Sequence, residues 1–150
     1  MSARTHVPQT EPFRWKDVPV LDYKEDGGTH FRSISRQVLF ADGATQGAEL
    51  RYFEIAPGGH STLERHDHAH SVMVVRGRGE ALVGLEVHPL ATHDLVHVPP
   101  QTWHQFRATA PEPLGFLCLV SAERDKPRRP TEAELAELRS HRAAGAFLRV

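Results

Sequence analysis

The amino-acid sequence predicts one all-β domain, a barrel or a sandwich, that ends in a single short helix. Short apolar segments recur between residues 13 and 122, and turns that contain glycine or proline separate them. Strands at such short and regular spacing are typical of all-β barrels and sandwiches. The chain has 150 residues, enough for one domain that buries roughly two thirds of its unfolded surface.

The predicted strands follow one another between recognisable turns. Residues 1–12 are polar and contain two prolines, so we expect a flexible arm ahead of a domain that covers residues 13–150. Turns are predicted at 24–28, 41–43 and 57–59, where the chain reads KEDGG, ADG and PGG. The predicted strands are 13–21, 31–40, 49–56, 62–66, 70–75, 80–83, 86–90, 95–98, 103–108 and 114–122.

A helix is predicted at about residues 131–141, after the last strand. Thr131 is a suitable N-cap, and Glu134 stands three residues later, as a capping box requires. Leu135 and Leu138 follow. We expect this helix either to cover the barrel or to take part in the contact of a homodimer.

The composition excludes several kinds of partner. The 18 basic and 19 acidic residues nearly balance and the basic residues are scattered, which argues against nucleic-acid binding. No apolar run is long enough to cross a membrane and the first residues lack a signal-peptide pattern, so a cytoplasmic protein is expected. The single cysteine, Cys118, excludes an internal disulfide, and we predict that it is a small buried apolar residue rather than a nucleophile.

The strongest functional signal lies between Pro57 and Gly79. Residues that alternate along a strand lie on one face about 6.6 Å apart, so two of them can converge on one metal ion. Three consecutive residues on one face span about 13 Å, which is too far for one ion, so the chain must turn within this stretch. The candidate ligands with the same parity are Glu64, His66, His68 and His70.

The position of that turn decides which side chains bind the metal. In one arrangement the strand ends at His66, residues 67–69 form the loop, and His70 opens the next strand. In the other, His66 and His68 are the ligands, and Ala69 alone separates His68 from His70. Hairpin connections need about two to five residues, so we prefer the first arrangement, in which Glu64, His66 and His70 are ligands.

The stretch PGGHSTLERHDHAHSVMVVRGRG resembles the first motif of the cupin superfamily, G-x5-H-x-H-x3-4-E-x6-G. In this register Glu64 stands at the family's first histidine and His70 at its glutamate, so two ligand types are exchanged. The segment HDLVHVPPQTWH, residues 93–104, resembles the second motif, G-x5-P-x-G-x2-H-x3-N. His104 stands at the histidine of that motif, whereas its two glycines and its asparagine are replaced by His93, Gln101 and Ala108.

The resemblance implies a double-stranded β-helix, or jelly roll, with its barrel core at about residues 50–122. It also implies one divalent transition metal per chain. The ligand types do not identify that metal, which could be Fe, Mn, Ni, Cu or Zn. Four protein ligands of an octahedral set would leave two adjacent positions for a substrate. The expected ligands are Glu64, His66, His70 and His104, and the residues expected to line the pocket or contact these ligands are His68, Val72, Val74, His97 and Phe106.

A metal-dependent enzyme that acts on a small molecule is the predicted function, and the resemblance favours an oxygenase. A non-redox metal enzyme, such as an isomerase, lyase or cyclase, is the first alternative, because the ion could polarise a carbonyl group as a Lewis acid. A non-catalytic module that binds a small ligand or a metal is the second.

Overall fold

The computed structural model describes residues 4–24, 28–41 and 44–150, and within them the predicted all-β fold is confirmed. The turns predicted at 24–28 and 41–43 fall largely on residues 25–27 and 42–43, outside the described residues. The elements are β1 (Gln9–Glu11), β2 (Arg14–Trp15), β3 (Leu21–Asp22), β4 (Arg32–Phe40), β5 (Ala48–His60), β6 (His70–Arg76), β7 (Gly79–Val83), β8 (Glu86–Leu90), β9 (Leu95–Val98), β10 (His104–Ala108), β11 (Leu114–Ser121), α1 (Glu132–Ser140) and α2 (Arg142–Phe147).

The strands β3 to β11 form one antiparallel sheet that curls into a barrel. Seven of them lie in the order β8-β7-β10-β5-β11-β6-β9, and β4 adds to β5 while β3 adds to β4. The strand β5 is central because it pairs with three partners, β4, β10 and β11. Side chains alternate across each strand, so every second residue of β4, β5, β6, β10 and β11 points into the barrel.

The predicted turn at residues 57–59 lies instead inside β5, which is therefore longer than expected. Between the pairs Ile34–Ile55 and Arg32–His60, two residues of β4 span five of β5, so the strand bulges. Gly58 takes a φ of 80°, and a Cβ at Gly59 would lie 2.5 Å from the Arg32 carbonyl oxygen. The bulge bends β5 from its partner β11 toward β10 and so directs the chain toward residues 61–70.

Two further strand predictions need correction. The segment 13–21 is not one strand, because positive φ angles at Phe13 (58°) and Asp17 (61°) interrupt the extended backbone. It contains only β2, and β3 begins at its end. The segment 62–66 makes two isolated bridges, from Glu64 to His104 and from Arg65 to Arg128, instead of a strand.

The barrel interior is apolar at one end and polar at the other. Its apolar cluster includes Phe53, Ile55, Val72, Val74, Ala81, Leu90, Val96, Val98, Phe106, Ala108, Leu114, Phe116, Cys118 and Val120. On the outer face of β5, Tyr52 is fully buried because Phe13 stacks on it at 5.5 Å and Trp15 meets it edge-on at 5.4 Å. The division into an arm at residues 1–12 and a domain from 13 stays a prediction, and within that arm residues 9–11 form β1.

The C-terminal helix is present, with Thr131 as N-cap and Glu134 completing the capping box. A second helix, α2, follows at once, and the sequence signals had not indicated it. Leu138, Ala144 and Phe147 pack with Leu63 and Leu82, so the helices cover the barrel. Neither helix is long and apolar enough to cross a membrane, and the described residues contain no other helix.

Candidate metal centre and its cavity

The polar end of the barrel holds a cavity of about 240 Å³. Its walls come from β4, β5, β6, β10 and β11, and from the chain segments at 23–24, 61–70 and 124–127. Seven of the nine residues expected at the site line this cavity: Glu64, His66, His68, His70, Val72, His104 and Phe106.

The histidine cluster is the set of residues that the fold brings closest together. Nitrogen atoms of His66, His70 and His104 all lie within 4.8 Å of one another, and the Nε2 atoms of His66 and His70 are 2.8 Å apart. His70 is the first residue of β6, and residues 67–69 form the connection that the preferred turn placement predicted. His104 opens β10 and exchanges backbone hydrogen bonds of 3.1 and 3.2 Å with Glu64, which brings the two motifs together.

Backbone carbonyl groups fix the orientation of two of these rings. The Nδ1 atom of His66 lies 2.6 Å from the His68 carbonyl oxygen, and Nδ1 of His104 lies 2.9 Å from that of Thr102. A carbonyl oxygen can only accept, so in each ring Nδ1 carries the proton and Nε2 keeps its lone pair. Such a contact to the second nitrogen is typical of metal-binding histidines.

Burial keeps the cluster uncharged at neutral pH. It lowers the pKa of His66 to about 4, with the His104 and His68 rings acting in the same direction. It also lowers the pKa of His104 to about 4 and moves the pKa of His70 well below its ordinary value. Three neutral imidazoles whose ring nitrogens converge on one point are a suitable donor set for a divalent transition metal, which would take the place of the His66–His70 hydrogen bond.

The expected fourth ligand, Glu64, has a different partner in this structure. Its Oε2 atom accepts a hydrogen bond of 2.6 Å from Nζ of Lys24, with both side chains largely buried. Glu64 lines the same cavity as the three histidines, but its oxygen atoms are outside the group that lies within 4.8 Å. The sequence had not indicated Lys24, which precedes residues 25–27.

His68 lies in the loop, as the preferred turn placement requires, yet its ring turns into the cavity. It stacks on His66 with ring centres 3.6 Å apart, and Nδ1 lies 2.8 Å from Oδ1 of Asp125. The other carboxylate oxygen of Asp125 accepts from the Asp67 backbone N–H at 2.8 Å. Backbone and side-chain hydrogen bonds from Asp67 and His68 hold the pKa of Asp125 well below its ordinary value. Asp125 therefore fixes the loop between two of the proposed ligands.

Two residues expected in the pocket lie elsewhere. Val74 is fully buried in the apolar cluster, deeper in the barrel than Val72. His97 is exposed on β9, where its neighbours Val96 and Val98 point inward. The sequence did not settle on which face of its strand His97 lies, because a turn comes next at Pro99. The alternation along β9 puts His97 on the outer face.

The cavity also contains a thiol and cationic groups that sequence reasoning did not assign to it. Cys118 is buried as predicted, but it contacts Nδ1 of His70 at 2.9 Å and Nη2 of Arg51 at 3.7 Å. Burial raises the pKa of the Cys118 thiol, although Arg51 opposes the effect. Cys118 and Arg51 are directly opposed in the pairing of β11 with β5, so both point into the barrel. Arg51 shares the parity of the buried Phe53 and Ile55, which is the signal that could have placed it there.

Comparison with known proteins agrees with this architecture. The family model described as "Cupin domain" matches residues 51–120. The curated 1-methylthio-D-xylulose 5-phosphate methylsulfurylase of Rhodospirillum rubrum is 59% identical over 97% of this chain and 92% of its own length. A cupin 2 conserved barrel domain protein of Rhodopseudomonas palustris is 49% identical, with a TM-score of 0.91 over 97% of this chain and 100% of that one.

A second solved structure, a cupin-2 domain from Rhodospirillum rubrum, is 57% identical with a TM-score of 0.85 and covers 93% of both chains. These similarities extend over nearly the whole chain, from the curled sheet to the C-terminal helices. The two histidine-containing segments, the barrel and these relatives together show that the chain belongs to the cupin superfamily.

Proposed function

We propose that this protein is a metal-dependent enzyme that removes the methylthio group from a 1-methylthio ketose 5-phosphate. The observation that carries the proposal is the position of Cys118, a thiol that lines the same cavity as the histidine cluster and contacts one of its members. The name of the Rhodospirillum rubrum relative, which is 59% identical to this chain, supplies the substrate class.

The histidine cluster is suited to a divalent transition metal, and we propose that one ion per chain is held by His66, His70 and His104 with Glu64 as the fourth ligand. Glu64 would reach the ion by exchanging its contact with Lys24. When bound, the cation would act as a Lewis acid on the carbonyl oxygen of the ketose.

In this proposal the Cys118 thiol is the nucleophile, a role that its apolar neighbours in the sequence had not predicted. A metal ligand that binds through Nε2 carries its proton on Nδ1, so His70 would donate a hydrogen bond to the Cys118 sulfur. The Arg51 guanidinium lies on another side of the same sulfur. Both contacts favour the thiolate and so oppose burial, which raises the pKa of the Cys118 thiol. The thiolate is the reactive form.

The proposed reaction balances without an external oxidant. The Cys118 sulfur attacks the methylthio sulfur, an S–S bond forms, the C1–S bond breaks, and its electron pair moves into the ketone as an enolate. A proton added to C1, equivalent to the one lost from the thiol, gives a 1-deoxy ketose 5-phosphate. A second, small thiol then takes the methylthio group as a mixed disulfide and restores Cys118.

The oxygenase predicted from the sequence ranks lower in this proposal. A methylthio transfer between sulfur atoms requires no dioxygen, and it is closer to the non-redox metal enzyme that was the first alternative. The homodimer, the cytoplasmic location and the absence of nucleic-acid and membrane partners stay predictions.

Intact-mass spectrometry of Cys118 tests the proposal. Protein incubated anaerobically with 1-methylthio-D-xylulose 5-phosphate and no added thiol should gain one methylthio group on the peptide that contains Cys118. Added 2-mercaptoethanol should remove the group and permit turnover. Cys118→Ala and Cys118→Ser should retain metal and neither gain the group nor turn over.

Unchanged turnover in Cys118→Ala would contradict the proposal, and so would a reaction that consumes one dioxygen per product. The second outcome would favour the oxygenase. Exposed His97 offers a matched control, since His97→Ala should turn over as the wild type does.

A further inference from the structure

The cavity is much more positively charged than the rest of the protein. Four cationic side chains line it, from Lys24, Arg36, Arg51 and Arg124, against one carboxylate, from Glu64. Without the histidines, the charged side chains that line the cavity in the described part of the chain sum to +3, in a chain whose net charge is −1. Lys24 and Glu64 pair with each other, whereas Arg51 and Arg124 lie together near a single carboxylate, that of Glu49.

Arg51 is the most unusual of these groups because it is buried. It is 9% exposed, and its Nε atom finds no hydrogen-bond partner among the described residues. Its nearest carboxylate oxygen, Oε1 of Glu49, is 3.8 Å from Nε, too far for a hydrogen bond. A buried guanidinium is costly unless an anion satisfies it. Apart from the Cys118 sulfur at 3.7 Å, the described chain supplies only this distant carboxylate.

Arg124 approaches the same place from the segment that follows β11. Its Nη2 atom lies 3.5 Å from the same Glu49 oxygen that faces Arg51. One carboxylate thus serves two guanidinium groups, which leaves a local charge of +1 at the end of the cavity formed by β5 and the start of this segment.

We infer that Arg51 and Arg124 form the subsite for the phosphate group of the substrate. The inference rests on the proposed function, because it assigns the 5-phosphate of that substrate to these two residues. A guanidinium presents parallel N–H groups that match phosphate oxygens, and it keeps its charge at any relevant pH. The phosphate would bind between the two arginines, while the carbonyl end of the ketose faces the histidine cluster.

Calorimetric titration of the protein with D-xylulose 5-phosphate and with D-xylulose tests the subsite without any methylthio chemistry. Wild-type protein should bind the phosphorylated sugar at least 10-fold more tightly than the free sugar. Arg124→Gln and Arg51→Met should each weaken D-xylulose 5-phosphate binding by about 10- to 100-fold and leave D-xylulose binding unchanged. The affinity of Arg51→Lys for D-xylulose 5-phosphate should lie between those of wild type and Arg51→Met, since lysine keeps the charge but lacks the parallel N–H donors of a guanidinium.

Arg78→Gln, at an exposed arginine outside the cavity, should bind both sugars as the wild type does. Inorganic phosphate should compete with D-xylulose 5-phosphate in metal-free wild-type protein but not in Arg124→Gln, which separates the arginine subsite from phosphate bound to the metal. Circular dichroism checks the fold of each variant. If Arg51→Met is unfolded, Arg124→Gln carries the test, because its side chain lies on a surface segment.

Equal affinity of wild-type protein for the two sugars would overturn the inference, as would variants that bind D-xylulose 5-phosphate normally. Loss of phosphate binding in the arginine variants, combined with no turnover of the methylthio sugar by wild type, would retain the subsite and reject the reaction. Normal turnover together with unaffected D-xylulose 5-phosphate binding in Arg124→Gln would reject the subsite and retain the reaction.

Discussion

Two groups of side chains in the cavity, one of histidines and one of arginines, differ in charge. The histidine cluster, formed by His66, His70 and His104, loses its charge through burial, and its ring nitrogens converge on one point. The arginine pair, Arg51 and Arg124, cannot lose its charge at any relevant pH and shares a single carboxylate. One side is therefore suited to a cation and the other to an anion, as a substrate with a metal-binding carbonyl and a phosphate requires.

The largest effect is expected on metal affinity when one histidine of the cluster is removed. His104→Ala takes away one of few bonds to the metal, so we expect metal affinity to fall by more than about 100-fold, beyond the loss typical of an outer contact. Isothermal titration with one chosen metal, such as Mn²⁺ or Zn²⁺, measures it. His97→Ala, which changes an exposed histidine, should bind as the wild type does, and equal affinity in the two variants would contradict the assignment.

Acid should lower the folding stability of the metal-free protein through the buried histidines. The folded pKa of His66 and of His104 is about 4 against an ordinary value of 6.5, so the unfolded chain binds more protons between these two pH values. The stability of metal-free protein should be fully present above pH 6.5 and fall as pH drops toward 4, on the order of 3 kcal/mol for each of the two residues.

Urea unfolding of chelator-treated protein at a series of pH values measures this slope. His104→Gln removes one of the three histidine titrations of the cluster and should make the slope shallower. A free energy of unfolding that stays constant between pH 6.5 and pH 4 would show that the cluster is not held neutral.

Glu64 decides whether the histidine side has a fourth ligand. Glu64→Ala should weaken metal binding by at least about 10-fold if the carboxylate is a ligand. Lys24→Met frees the carboxylate from its 2.6 Å contact, so metal affinity should then stay the same or rise. His68→Ala should lower metal affinity much less than Glu64→Ala does. A larger loss in His68→Ala would favour the other turn placement, in which His66 and His68 are the ligands. The same titration measures all three.

The smallest effect is expected at Asp125, next to Arg124 in the segment that contacts both sides. Asp125→Asn weakens the hydrogen bonds to the 67–68 loop without touching a proposed ligand, so metal affinity should fall by about 10-fold. D-Xylulose 5-phosphate binding to metal-free protein should not change. A larger effect on the sugar than on the metal would show that the two sides are not independent.

The sequence was sufficient for the barrel because each strand from residue 31 onward carries its own apolar pattern and turn residues. It failed where the backbone departs from those rules, as at the positive φ of Phe13 and Asp17 or the bulge around Gly58. A proline with two glycines indicates a bend, but only the pairing of β5 with three strands decides whether the bend ends the strand.

The histidines of the candidate site could be predicted because they lie close together in the chain or in a recognisable motif. The arginine side could not, since Arg51 and Arg124 are 73 positions apart (124 minus 51) and share no motif. Cys118 was read as apolar from its neighbours in FLCLV, and only the pairing of β11 with β5 reveals that it faces a guanidinium. Which of these distant residues face one another is determined by strand pairing and not by the local sequence.

The most direct test of the account is the metal dependence of anaerobic turnover. Protein purified without an affinity tag should contain about one transition metal per chain and convert 1-methylthio-D-xylulose 5-phosphate in the presence of 2-mercaptoethanol. Chelator-treated protein should be inactive and regain activity when a single metal is restored, in proportion to the metal bound. Full activity of the chelated, metal-free protein would contradict the account.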